Sequence, residues 1–120
     1  MQIEAYGITP SNSVQDDEIG QDDGNGNIII NKNGQNINIS LYGINGVNTI
    51  KDKSVLTLYY DSGSGYQDKT SELDDYNLTW NLNIPANTEL TPKIYKLYGT
   101  YKYINNTTVN SRILSFIQKA

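Results

Sequence analysis

The stretch whose reading decides the fold runs from Tyr76 to Gln118, YNLTWNLNIPANTELTPKIYKLYGTYKYINNTTVNSRILSFIQ. Within it Leu78, Trp80, Leu82 and Ile84 alternate with Asn77, Thr79, Asn81 and Asn83. Apolar residues at every second position line one face of a pleated strand, so the segment predicts a half-buried β-strand. Pro85 ends it, because proline has no N–H to give a ladder. Two further runs follow, Lys93 to Ile104 and Val109 to Gln118. In the first, Tyr95, Leu97, Tyr101 and Tyr103 share the face expected to enter the core. Ile94, Lys96, Tyr98, Thr100, Lys102 and Ile104 share the other. In the second, Val109, Ile113 and Ile117 oppose Leu114 and Phe116, so both faces are apolar. That pattern suits a central strand or one covered by a partner.

The same reasoning extends towards the N-terminus. Gln2 to Ile8 predicts a first strand, with Ile3 and Ala5 on one face. Ile28-Ile29-Ile30 is a short apolar strand. In Gln35 to Gly43, Ile37, Ile39 and Leu41 point in while Asn36, Asn38 and Ser40 point out. Asn33-Gly34 lies between these two, and both residues tolerate positive φ, so Ile28–Asn31 and Gln35–Tyr42 are expected to form a β-hairpin. Ser54 to Asp61 is the next strand, with Leu56, Leu58 and Tyr60 on one face. Thr9-Pro10-Ser11-Asn12, Asn45-Gly46, Lys51-Asp52-Lys53 and Ser62-Gly63-Ser64-Gly65 supply turn chemistry. The polar run Gln67 to Asp75 has room for one helical turn. No stretch carries a helical period of useful length.

The expected fold is therefore all-β: an immunoglobulin-like antiparallel β-sandwich of about seven strands, residues 1–120 forming a single domain. Its core is expected around Trp80, with Ile37, Ile39, Leu41, Leu56, Leu58, Leu78, Leu82, Leu97 and either Phe116 or Ile117. Trp80 could instead be a glycan-stacking platform, but its alternation with leucines favours the core.

Composition narrows the function. Ten tyrosines and fifteen isoleucines in 120 residues favour strands. The net charge of −4 argues against nucleic acid, since phosphate neutralisation needs a basic surface. No apolar run approaches the roughly 20 residues that span a bilayer, so no membrane partner is expected. The N-terminus MQIEAYGITPS has neither the basic nor the apolar region of a signal peptide, which points to a soluble product made inside a cell. Charge is uneven along the chain. Glu4, Asp16, Asp17, Glu18, Asp22 and Asp23 precede any basic residue, whereas Lys93, Lys96, Lys102, Arg112 and Lys119 follow the last acidic one. This reads either as a solvated loop and strand or as a dipolar module that docks in one orientation.

The segment Trp80-Asn81-Leu82-Asn83-Ile84-Pro85-Ala86-Asn87-Thr88, followed by Phe116-Ile117-Gln118, resembles the BACON family and related bacterial immunoglobulin-like domains. Those domains carry an aromatic strand, a P-x-N-type turn, a long strand, and a last strand ending in a hydrophobic residue and Gln. The resemblance covers Tyr76 to Gln118. A basic residue often opens the penultimate strand, and Lys93 stands there. Such domains occur in secreted glycan-degrading proteins and in large phage proteins from gut bacteria. A free-standing, unexported domain of this kind looks more like an auxiliary component of a tailed-phage virion. The excess of Asn, Ile, Tyr and Lys matches the AT-rich genomes of many crAss-like phages.

Candidate chemistry is sparse. Asp23, Asn25 and Asn27 have the first three ligand spacings of a calcium-binding EF-hand loop. Position six of that loop is Ile28 rather than Gly, and position twelve is Gly34 rather than Glu, so no metal site is expected. The carboxylate pairs Asp16/Asp17, Asp22/Asp23 and Asp74/Asp75 lie in polar loops, where the raised pKa of a glycosidase acid is not expected. With no His and no Cys, histidine triads and thiol chemistry are absent, and zinc is not expected. The chain is expected to be no enzyme and to need no cofactor.

Two functions stay open. The leading expectation is a structural virion protein, made in the host cytoplasm, that decorates a capsid by binding the major capsid protein or another virion protein. Its contact is expected on the outer face of Lys93–Ile104 at Lys96, Tyr98 and Lys102, because aromatics beside basic residues mark interfaces. The alternative is a non-catalytic carbohydrate-binding or adhesin module for surface glycans, whose exposed aromatics would come from Tyr42, Tyr59, Tyr66 and Tyr98.

Overall fold

The computed structural model describes residues 1–8, 18–42, 53–102 and 105–120. Among these residues nine strands form two packed sheets: β1 (Gln2–Tyr6), β2 (Ile28–Ile30), β3 (Gln35–Tyr42), β4 (Leu56–Asp61), β5 (Tyr66–Asp68), β6 (Thr79–Ile84), β7 (Lys93–Lys102), β8 (Thr108–Asn110) and β9 (Leu114–Gln118). The first sheet has the order β1-β3-β6. The second has the order β2-β9-β7-β4-β5, with β8 also on β7. The chain crosses between sheets after β3, returns at β6 and crosses again to β7, which sits between β4 and β9. That wiring is the Greek key of an immunoglobulin-like sandwich.

Nine strands replace the expected seven for local reasons. The polar run after Gly65 begins with a short strand, β5, which pairs with β4. It continues into one 3-10 turn, Thr70–Glu72. The final run is split by Ser111, whose N–H donates to Gly99 O and whose Oγ accepts from Gly99 N–H, both at 2.8 Å. The two halves still lie on the same side of β7. Tyr103 and Ile104 lie outside the described residues.

The expected hairpin is not formed. β2 joins the second sheet and runs parallel to β9, with Ile28 opposite Phe116 and Ile30 opposite Gln118, while β3 pairs with β1 and β6 in the first sheet. Asn33-Gly34 does turn the chain: Gly34 N–H donates to Asn31 O at 3.1 Å, and Asn33 N–H to Asn31 Oδ1 at 2.9 Å. The turn carries the chain across the sandwich instead of back along it. Gly34 sits at φ 110°, and a Cβ there would lie 2.9 Å from Ile84 O. An all-apolar triplet has no preferred face, and β2 uses both. Ile30 enters the main core, whereas Ile29 and Ile19 are buried outside it.

The core lies between the sheets and contains each residue expected there, with Phe116 fully buried and Ile117 only half-buried on the other face. Trp80 is 6% exposed and meets Tyr60 edge-on at 5.1 Å, so it is a core residue. Leu78 precedes β6 at φ 52°, a left-handed conformation that leucine rarely adopts. Its full burial holds it there, as does a turn in which Asp74 Oδ1 accepts the N–H groups of Tyr76 and Asn77.

Candidate interaction surface

The outer face of the second sheet is built by strand parity. On β7, Tyr95 and Leu97 turn inward and are buried, so Ile94, Lys96, Tyr98, Thr100 and Lys102 turn outward. β4 lies antiparallel beside it with Tyr59 opposite Tyr98 and Asp61 opposite Lys96. β5 adds Tyr66 opposite Asp61. Tyr59 and Tyr98 stack with centroids 5.2 Å apart at 30°, and Tyr66 meets Tyr98 edge-on at 5.0 Å. Three of the four tyrosines considered for a glycan site thus converge. Burial, then the Asp61 carboxylate and Tyr98, push the Tyr66 phenol up, keeping it a neutral hydrogen-bond donor.

Lys96 and Lys102 are exposed and form no ion pair with a described residue. They share the face with Tyr98 but not one cluster. Lys96 adjoins the tyrosines, whereas six residues of strand, roughly 20 Å, separate it from Lys102. Ile94, 43% exposed, extends the apolar surface on the opposite side of Lys96. Ile94 pairs in register with Ile117 of β9.

Tyr42 belongs to a different place, the outer face of the first sheet. Its hydroxyl and that of Tyr6 both hydrogen-bond the Glu4 carboxylate. These bonds, with Arg112 nearby, hold Glu4 below the usual carboxylate range, and the Tyr42 phenol is pushed up to about 12, chiefly by its bond to Glu4. Around them Asn36 faces Asn83 and Asn38 faces Asn81. This surface is polar and mostly uncharged.

The separation of charge along the sequence is not a separation in space. Glu18 forms an ion pair with Lys119, and Ser115 Oγ donates to Asn27 Oδ1 at 2.6 Å. The acidic segment therefore lies against the basic C-terminal strand. Asp16 and Asp17 lie outside the described residues. The Asp22 and Asp23 carboxylates turn inward on their own loop. Asp22 Oδ1 accepts Gly24 N–H at 2.6 Å, while Asp23 Oδ1 accepts Asn25 N–H at 2.8 Å and Asp23 Oδ2 the Asn27 side-chain amide at 2.9 Å. The Asn27 amide, then the Asn25 N–H, hold the Asp23 carboxyl below its ordinary value. Asp74 caps its own turn and Asp75 pairs with Lys53 at 2.9 Å. Among the described residues no three acidic, His or Cys side chains gather as metal ligands do.

A groove of about 590 Å³, which the sequence did not signal, opens at one end of the sandwich between Tyr60, Ser62, Pro85, Glu89, Lys93 and Tyr95. It forms where two loops distant in sequence meet. No helix among the described residues is long and apolar enough to cross a membrane. Comparison of the chain with protein-family models, with curated proteins and with solved structures finds no match.

Proposed function

We propose that this chain is a non-catalytic structural protein that docks through the outer face of its second sheet onto a protein lattice. The lattice is the capsid of a tailed bacteriophage, with the major capsid protein or a neighbouring virion protein as the partner. The observation that carries the reading is the Tyr59–Tyr98–Tyr66 stack beside the exposed Lys96. Tyrosine gives contact area at low entropic cost, and a preformed sheet face needs no reordering to bind. The virion setting is supported by the resemblance of Tyr76–Gln118 to BACON-type immunoglobulin-like domains, which occur in large phage proteins.

A glycan is the second reading, since the three tyrosines converge with Asp61 and Lys96. Tyr59 and Tyr98, however, cover each other, so one face of each ring is already occupied. A sugar would have only the remaining faces to stack on, whereas a protein surface can also use the hydroxyls and edges.

The test replaces Lys96 and Lys102 by Glu together and measures incorporation into particles alongside the melting curve. Incorporation should fall and become less sensitive to salt, with the melting temperature unchanged, because rim charges act on association more than on stability. Unchanged incorporation with an unchanged fold places the interface elsewhere. Binding of wild type to a glycan array, lost in Tyr66→Ala, selects the second reading.

A further inference from the structure

We infer that β6 is an open edge built to pair antiparallel with β6 of a second copy of this chain, joining two three-stranded sheets into one. The inference does not involve the tyrosine face.

Among the described residues the other sheet edges are short or carry charge, β8 having only three residues. β2 has three residues and is already bonded on its flank, Gly20 N–H to Ile29 O at 2.8 Å and Ile29 N–H to Gln21 O at 2.9 Å. β5 also has three residues and ends in the charged Asp68. β1 carries Glu4. Short edges and charges of this kind are how proteins prevent edge pairing. β6 has six residues, TWNLNI, without a charge or a proline, in uninterrupted register with β3.

The direction of its backbone groups follows from one bond. Leu41 N–H donates to Leu78 O at 3.3 Å, and Ser40 stands opposite Thr79. In an antiparallel ladder the bonded pairs alternate. Trp80, Leu82 and Ile84 therefore turn their backbone groups towards β3, while Thr79, Asn81 and Asn83 turn theirs away. Asp74 N–H confirms the parity by donating to Thr79 O at 2.8 Å. Among the described residues, no backbone group outside β3 bonds to Asn81 or Asn83.

The second copy is identified by register. A twofold axis through Leu82 sets Asn81 of one copy opposite Asn83 of the other, and each outward N–H and C=O of these residues then gains a partner. The next bonded positions, Thr79 and Pro85, cannot complete a pair: Thr79 O already accepts Asp74 N–H, Pro85 has no N–H, and Pro85 O already accepts the Gln118 side-chain amide. The ladder stops at the Asp74 turn, which already occupies Thr79 O. Side chains match as well. Asn36 faces Asn83 and Asn38 faces Asn81 within each copy, so the pairing extends a row of neutral amides across both sheets without like-charge contact.

The test is sedimentation equilibrium of the full chain from micromolar to millimolar concentration, for wild type, Asn81→Lys and Asn83→Pro. Lysine is a gatekeeper at edges, and proline is tolerated where the N–H points away from the sheet. Wild type should dimerise, and each substitution should raise the dissociation constant about tenfold or more with an unchanged circular dichroism spectrum. Amide exchange at Asn81 and Asn83 should accelerate on dilution. A wild type that stays monomeric at millimolar concentration overturns the proposal, as does a dimer insensitive to both changes. If Asn83→Pro does not fold, Asn81→Lys decides alone, since the Asn81 side chain is exposed.

Discussion

The hydroxyl of Tyr95 donates to Oε1 of Gln118 at 2.8 Å, and that bond completes a fully buried amide. On its other side Gln118 Nε2 reaches Pro85 O at 2.7 Å, Asn31 O at 3.2 Å and Lys32 O at 3.3 Å. One side chain thus ties the last strand to β7, to the end of β6 and to the sheet-crossing turn after β2. Nearby, Asn87 is also buried, and its side-chain amide donates to Thr91 O and Lys119 O while its N–H donates to Lys32 O.

Gln118→Leu should therefore destabilise the fold by about 3 kcal/mol, because it strands a buried hydroxyl and carbonyl oxygens together. Tyr95→Phe alone should cost about 1 kcal/mol. Urea denaturation of the two single variants and the double variant measures the coupling. Additive losses would show that the two groups do not act as a pair.

Gly99 faces inward at the centre of the second sheet. A Cβ there would lie 2.8 Å from Leu41 Cδ2 and 3.0 Å from Met1 Cε. Gly99→Ala should cost about 1–3 kcal/mol through overpacking, despite the usual gain from replacing glycine in a strand. A melting temperature at or above that of wild type would mean that Leu41 and Met1 move aside freely.

Alkaline pH should unfold the protein through its phenols. Burial, then Tyr95 and Asp61, push Tyr60 well above its ordinary value, and Tyr42 is pushed up to about 12. Unfolded tyrosine ionises near pH 10 (roughly). Above that pH the unfolded chain releases protons that the folded chain keeps. Stability is then complete below the unfolded value and is lost as pH rises through the folded ones. Melting curves should be flat from neutrality to about pH 9.5 and fall beyond it. Phenolate absorbance should rise together with unfolding, and a Tyr60→Phe variant should hold its stability to higher pH.

Calcium should leave the melting temperature unchanged. The Asp22 and Asp23 oxygens already accept backbone and side-chain amides of their own loop, and a ligand that bound the folded chain alone would raise stability by mass action. Thermal melts with millimolar calcium or with chelator test this. A rise of several degrees would show that the loop reopens around the ion.

Period-two alternation is a local property, and it is enough to set the strands and their inward faces. Ile37, Ile39 and Leu41, then Leu78, Trp80 and Leu82, then Tyr95 and Leu97 could be assigned to the core because a strand with one wet face has one stable orientation. The outward placement of Lys96, Tyr98 and Lys102 follows from the same parity. Pairing is not local, and there the chain alone was silent or misleading. Ile28-Ile29-Ile30 is apolar on every side, so nothing in it favours β3 over β9. The Asn33-Gly34 turn specifies a change of direction without specifying which sheet comes next. Tyr59, Tyr66 and Tyr98 meet because β5, β4 and β7 are neighbours in a given register, and Glu18 meets Lys119 across nearly the whole chain. The partner of each strand is chosen by closing the sandwich over a common core, and that energy belongs to no single segment.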